Sequence, residues 1–308
     1  MNPESRQRFS AYLAALATAV FWGFSYISTK TLLATLSPFQ VAAGRFWLAS
    51  LIILSIGLAT KTIKPVARRD WPRLFLAGFS GIFTYFIFEN SGLRLTTAGM
   101  GSLIIATIPV LNLLFSTVIM KRRISWGAWI GVFLSLLGVS LIIRAGAQFA
   151  LNVFWGNLLV LGAAASWVAY TQLNQPLSER YDSFSLNLYQ TLVGTALLTL
   201  IALGEGRSLP PLTPGIGLNL LFLAVCCSAL AYIFYLYALR RLGATVVTTF
   251  INFIPVFGVL GGILILGEPF GVDQLAGGLV ILTGVFLVSR SGQKTGKRGE
   301  NADRTATA

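Results

Sequence analysis

Two hydrophobic segments of this chain can be laid over one another so that Pro109 falls on Pro255, an offset of 146 residues. At that offset Leu93-Arg94 lies on Leu239-Arg240, Ala98 on Ala244, Ile105 on Ile251 and Ile108-Pro109-Val110 on Ile254-Pro255-Val256. Further on, Gly131 meets Gly277, and Gly138-Val139 meets Gly284-Val285. Upstream the register slips by one, so that Trp22 corresponds to Trp167. The chain contains itself twice, and a duplicated bundle places its site where the two copies meet.

Hydrophobic residues make up 55% of the chain and charged residues only 11%, a balance foreign to a soluble domain. The apolar stretches run from Ala11 to Leu32, Phe39 to Ala59, Pro72 to Leu93, Ala98 to Met120 and Trp126 to Ile143. They continue from Phe154 to Asn174, Phe184 to Leu203, Ile216 to Leu239, Thr245 to Leu266 and Leu275 to Ser289. Each is near the ~20 residues needed to cross a hydrocarbon core of ~30 Å. The spacing predicts an all-α integral membrane protein of ten transmembrane helices, joined by loops too short to hold another domain. The first stretch lacks the short apolar core and small-residue cleavage site of a signal peptide and is kept as a helix.

Ten helices in two copies give five per copy, and an odd number forces the second copy to enter the membrane from the opposite side. The expected organisation is a first five-helix repeat over residues 11–143, an inverted second repeat over 154–289 and a disordered cytoplasmic tail over 290–308. From Ser291 onward that tail has no apolar residue larger than alanine, too little to build a core. Basic residues test the topology independently, because short cytoplasmic loops collect Lys and Arg. Alternate connections hold Arg6 and Arg8; Lys61, Lys64, Arg68, Arg69 and Arg73; Lys121, Arg122 and Arg123; Arg180; Arg240 and Arg241; then Arg290, Lys294, Lys297, Arg298 and Arg304. These are 18 of the 23 basic residues, so both termini are expected in the cytoplasm and the protein in the cell (inner) membrane. The net charge of +13 then reflects topology and attraction to anionic lipid, with the bilayer rather than nucleic acid as the partner.

The run Ser37-Pro38-Phe39-Gln40-Val41-Ala42-Ala43-Gly44-Arg45-Phe46 at the start of the second helix resembles the opening of an EamA-type domain. So does Leu266-Gly267-Glu268-Pro269-Phe270, followed by Gln274, Gly277 and Gly284-Val285. The resemblance extends from about Ala11 to Ser289 and implies the ten-helix arrangement of the drug/metabolite transporter superfamily, two inverted EamA-type units in tandem. It also implies export of a small-molecule solute such as an amino acid or similar metabolite, and the sequence is most similar to exporters of aromatic amino acids.

Polar side chains in a bilayer turn away from lipid, and residues three, four and seven apart share a helix face. That rule marks Thr18, Trp22, Ser25 and Thr29 on the first helix, Trp167, Tyr170 and Asn174 on the sixth, and Ser228, Tyr232 and Tyr235 on the eighth. The ninth offers Thr245, Thr248 and Asn252, the third Tyr85 and Glu89, and the fourth Thr107, Asn112 and Ser116. From these the expected solute site is Trp22, Ser25, Tyr85, Glu89, Asn112, Trp167, Tyr170, Asn174, Tyr232, Tyr235, Thr248 and Asn252. The competing role for each is structural: hydrogen bonding between helices or anchoring at the interface. Pro109 and Pro255 are expected as paired mid-helix hinges, freeing the carbonyls of Ile105 and Ile251.

The chain has no histidine, and its two cysteines are adjacent at Cys226-Cys227. No metal cluster, cofactor or enzymatic activity is therefore expected. Gly78-Phe79-Ser80-Gly81 has the form of an intramembrane serine-protease motif, but without a basic partner its serine is an ordinary alcohol. Glu89 and Glu268 are placed near the external helix ends, Glu268 capping a loop or packing a helix end. Arg45 is open to pairing with Glu89 or with helix-end carbonyls, or to anchoring its helix. The resulting expectation is an uncharged cavity lined by aromatic rings, hydroxyls and amides, suited to a neutral or zwitterionic solute with an apolar part. Such a solute would move by alternating access, by facilitated diffusion or with weak proton coupling through Glu89. The alternatives are a broad exporter of drugs, nucleosides or other amphipaths and, in another class, an intramembrane enzyme or assembly factor.

Overall fold

The computed structural model describes residues 3–119, 125–149 and 151–288 of the chain. The expectations for the basic loop 121–123 and for the tail 290–308 lie outside the described residues. The first repeat contains α1 (Pro3–Leu33), α2 (Pro38–Thr60), α3 (71–95), α4 (Ala98–Val118) and α5 (Trp126–Phe149). The second contains α6 (Leu151–Arg180), α7 (Ser183–Gly204), α8 (214–242), α9 (244–264) and α10 (Val272–Val288). Together they form the ten-helix membrane bundle expected from the sequence.

Sequence punctuation sets the ends. Ser37 caps α2 in a reciprocal box with Gln40, while Thr97, Asp182 and Thr213 each accept a backbone N–H at the start of α4, α7 and α8, satisfying amides left open by the first turn. Gly243, at φ 77° and ψ 164°, breaks the run between α8 and α9 in a conformation that favours glycine. Three helices outrun their apolar stretches: α1 begins at Pro3, α5 runs on to Phe149 and α6 continues past Pro176 to Arg180. A hydropathy window ends where the residues turn polar, but backbone hydrogen bonding does not.

The two copies are related by a pseudo-two-fold axis. Helices α1 and α8 pack together, as do their counterparts α6 and α3, while α2 packs on its own mate α7 and α4 on α9. Ser50 meets its equivalent Thr195 at 3.0 Å, and Ser135 Oγ donates to the carbonyl of its equivalent, Ile281. Beside that point Gly131 abuts the carbonyl of Gly284, and Gly138 abuts that of Gly277. One number rises as the other falls, so α5 and α10 run antiparallel about the axis. Such reciprocal contacts are the signature of a two-fold interface, and antiparallel mates mean inverted repeats.

Symmetry also appears where the helices are irregular. Phe79–Thr84 in α3 and Leu223–Leu230 in α8 are wide π-helical turns, a feature that hydrophobic patterning did not reveal. The prolines do more than bend their helices, as the sequence suggested. Helix α4 stops at Ile105 and restarts at Ile108, and α9 passes through a 3-10 turn at Phe250–Phe253 before restarting at Ile254. Pro109 and Pro255 thus occupy the opening turn of a new helical segment, where a missing N–H leaves no bond unmade.

The ends of the bundle are distinct. At one, Arg180 pairs with Asp70 at 3.2 Å, Tyr181 donates to Asp70 at 2.7 Å and Arg241 bonds Gln7. Of the loops expected to collect positive charge, those described around Arg69, Arg180 and Arg241 lie at this end with the start of α1. At the other, Ser37 bonds Glu205, and Glu268 accepts the Ala98 amide at 2.9 Å, against the first turn of α4. Opposite Glu268, the Lys30 ammonium donates to the Leu93 and Thr96 carbonyls that end α3.

The glycine contacts between α5 and α10 leave no room for a side chain, since a Cβ on Gly284 would overlap the Gly131 carbonyl and the Ser135 backbone. Gly284→Val is expected to cost about 1–3 kcal/mol by overpacking and to lower the thermal unfolding midpoint in detergent. Gly215→Val, with nothing within 4 Å of its Cβ position, should leave it unchanged.

Candidate functional site

Between α1 and α6 the two indoles that the repeat equates meet edge to face: Trp22 and Trp167 lie 4.9 Å apart at 83°. Tyr232 of α8 stands 5.7 Å from one and 5.6 Å from the other, completing an aromatic corner of favourable T-shaped pairs. Each ring is held by its polar atom. Trp22 Nε1 donates to the Cys227 carbonyl at 3.0 Å, and Tyr232 Oη donates to the Gly81 carbonyl at 3.0 Å. Both acceptors lie in the π-helical turns and are equivalent at the offset of 146 residues. A π-turn displaces carbonyls from the regular ladder and so offers acceptors inside the bundle.

A cavity opens against this corner. Trp22, Ser25 and Tyr26 of α1, Tyr85, Phe86 and Glu89 of α3 and Arg45 of α2 line one side. Trp167 and Tyr232 line the other, with Ile105, Ile108, Ile251 and Ile254 across the proline breaks. Those four isoleucines are two repeat-equivalent pairs, so the broken helices supply matching apolar walls. The interior leaves about 20 Å³ for the centre of a water molecule, room for about one water. A larger solute requires the aromatic walls to move apart.

The cavity is not uncharged, as the sequence reading expected. Arg45 is 1% exposed and Glu89 4%, and both face it. Their positions explain the correction: each sits six or seven residues inside its helix end, about 10 Å along the axis at 1.5 Å per residue, deep enough to leave the interface. Arg45 Nε donates to Ser228 Oγ at 2.9 Å, and the guanidinium lies 4.5 Å from the Phe86 ring centre and 5.3 Å from that of Phe46. Cation–π contact and the hydrogen bond offset part of the cost of burying this charge. Its two terminal amino groups make no hydrogen bond among the described residues. Glu89 accepts from Tyr85 Oη at 2.8 Å. The Tyr26 hydroxyl lies beside Glu89 and Tyr85. Arg45 and Glu89 form no ion pair within 4.0 Å.

Of the twelve expected site residues, Trp22, Ser25, Tyr85, Glu89, Trp167 and Tyr232 line the cavity; the other six do not. Tyr170 and Tyr235 form a layer behind Trp167, at ring distances of 4.6 and 5.2 Å. Asn174 accepts from Gln190 and Asn112 from Gln172, each at 2.6 Å. Thr248 bonds back to the Ala244 carbonyl of its own helix, and Asn252 is half-buried with its side-chain oxygen unpartnered. The reading for polar stripes passed over Tyr26, Arg45, Phe86 and the four isoleucines. The isoleucines were already visible in the repeat alignment, which marks wall positions whatever their polarity.

The model of the EamA-like transporter family matches this chain twice, at residues 9–144 and 154–290. An uncharacterized transporter of Archaeoglobus fulgidus is 29% identical over 90% of this chain and 96% of its own length. The uncharacterized transporter YyaM of Bacillus subtilis is 25% identical over 92% and 94%. A probable terminal-alkyne amino-acid exporter of Streptantibioticus cattleyicolor is 26% identical over 94% and 96%. None of these three is described as an exporter of aromatic amino acids, the nearest likeness expected from the sequence. A solved crystal structure shares the fold at a TM-score of 0.67 and 20% identity, covering 93% of this chain and 98% of its own.

The Tyr232 hydroxyl is fully buried against the Gly81 carbonyl. Tyr232→Phe leaves that carbonyl without its partner and is expected to destabilise the protein by about 1–3 kcal/mol. An unchanged thermal midpoint in detergent would show that the bond contributes nothing.

Proposed function

The chain belongs to the EamA-like transporter family, and from that premise we propose that it exports small zwitterionic metabolites, amino acids with apolar or aromatic side chains among them. The observation that carries this reading is a guanidinium with two uncommitted amino groups and a carboxylate, both in one aromatic-walled cavity. The solute carboxylate would take the terminal amino groups of Arg45, the geometry for which guanidinium is suited. Its ammonium would face Glu89, and its side chain would lie against Trp22, Trp167 and Tyr232. A probable terminal-alkyne amino-acid exporter among the relatives supports the class of solute.

Sidedness follows from charge. The end that carries Lys61, Lys64, Arg68, Arg69, Arg180 and Arg241 faces the cytoplasm, which puts the N-terminus inside and the Lys30 and Glu268 end outside the cell membrane. The breaks at Pro109 and Pro255 flank the cavity walls and serve as its hinges. A broad exporter of lipophilic cations on the same fold would draw on Glu89 alone, and a buried Arg45 opposes it.

Uptake of labelled phenylalanine, leucine, lysine and a lipophilic cation into proteoliposomes tests this directly. Phenylalanine and leucine should move, and Trp167→Ala should abolish their flux. Arg45→Gln should lower kcat/KM for them by roughly ten- to a hundredfold, the equivalent of about 1.5–3 kcal/mol for a charge-assisted bond, while sparing a decarboxylated amine. Flux of the cation alone would overturn the proposal. Glu89 is the acidic residue of the cavity, so Glu89→Gln should remove any acceleration by an imposed proton gradient; a full response in that variant would exclude Glu89 from coupling.

A further inference from the structure

The pseudo-two-fold axis maps the charged side of the cavity onto a second group of residues. With the offset of 145 residues that equates Trp22 with Trp167, Ser25 corresponds to Tyr170, Tyr26 to Thr171 and Arg45 to Gln190. With the offset of 146, Glu89 corresponds to Tyr235. All four counterparts are buried, at 1% exposure or less, and they are packed closed. Tyr235 Oη lies 2.6 Å from Thr171 Oγ1 and accepts from Trp167 Nε1 at 3.2 Å. Around the equivalent Glu89 the cavity is open, and the Trp22 N–H is turned away to the Cys227 carbonyl.

Two of the closed residues carry polar atoms that the fold leaves unused. The Tyr170 hydroxyl and the Gln190 side-chain oxygen are fully buried without any hydrogen-bond partner, an arrangement that costs about 1–3 kcal/mol for each group. Such a cost persists where the group is satisfied in another state or by a ligand. Inverted repeats reach that other state by exchanging their conformations about the axis.

We infer that the second repeat holds a second solute half-site, built from Tyr170, Thr171, Gln190 and Tyr235 and closed in this conformation, which opens to the opposite face of the membrane from the Arg45 and Glu89 half-site. The inference rests on the reading of the protein as a carrier of zwitterions and extends it. The first half-site offers a cation and an anion; the second offers hydroxyls and an amide to the same solute. On exchange, Thr171 separates from Tyr235 and the Trp167 N–H passes to the Gly81 carbonyl. In step, the Trp22 N–H turns onto Glu89 and shuts the first half-site.

The test uses Ser25→Cys and Thr171→Cys, both near-isosteric, in the full chain in sealed proteoliposomes of defined orientation. A membrane-impermeant maleimide is applied from either face, and the modified position is read by mass spectrometry so that Cys226 and Cys227 do not interfere. Ser25→Cys should react from one face and Thr171→Cys from the other. Leucine at ten times its half-saturating concentration should slow both about tenfold. Reaction of both from the same face, or no reaction at Thr171→Cys from either, overturns the inference. Reaction from opposite faces with no protection by leucine or phenylalanine keeps the two-faced path and instead removes the amino-acid reading.

Discussion

Inside a bilayer every backbone N–H and C=O must find its partner within the protein, and this constraint shapes the site more than any single side chain. The regular ladder is interrupted inside the helices at two π-helical turns and at two breaks preceding prolines. All four irregularities adjoin the cavity. The π-turns offer the Gly81 and Cys227 carbonyls to Tyr232 and Trp22, so aromatic hydrogen-bond donors are anchored on the irregular backbone. Irregular backbone is tolerated at membrane depth where it is buried in protein or borders a cavity, and here that tolerance fixes the rings in place.

The same economy governs charge. A guanidinium 1% exposed in the middle of a membrane protein is expensive unless its surroundings share the load. Arg45 finds two phenylalanine faces, one serine hydroxyl and the field of a carboxylate. These partners come from α2, α3 and α8, so the charge ties together both repeats. Ser228 leaves the terminal amino groups of the guanidinium unengaged, a geometry that lysine with its single ammonium would not reproduce.

Much of this was legible in the sequence, because the strongest signals were long and redundant. The number of helices and the inverted duplication follow from apolar stretches, an odd helix count and a constant offset. The aromatic corner was found because Trp22 and Trp167 lie deep within their segments. What escaped had local causes. A π-turn is a single-residue slip in hydrogen bonding with no compositional mark. Arg45 carries the residue type of an interface anchor, and only three-dimensional depth separates the two roles. Half of the expected residues satisfied the helical-face rule yet lie off the cavity, packed on other side chains or, like Thr248, bonded to their own helix, since a polar stripe specifies only that lipid is avoided. Gln190, the counterpart of Arg45, was overlooked because its importance appears only when one repeat is mapped onto the other.

The contacts that lie on the axis have a thermodynamic character of their own. Ser50 with Thr195, and Ser135 with Ile281, are pairs of equivalent positions, so each would keep the same neighbour on the proposed exchange of shape between the two halves. A change there raises or lowers both states together and leaves their ratio untouched. Off-axis positions such as Arg45 and Gln190 have different surroundings in the two states, and a change in either tilts the balance by its differential energy alone. The duplication thus divides the core into residues that set how stable the protein is and residues that set which way it faces, and selection can adjust one without disturbing the other.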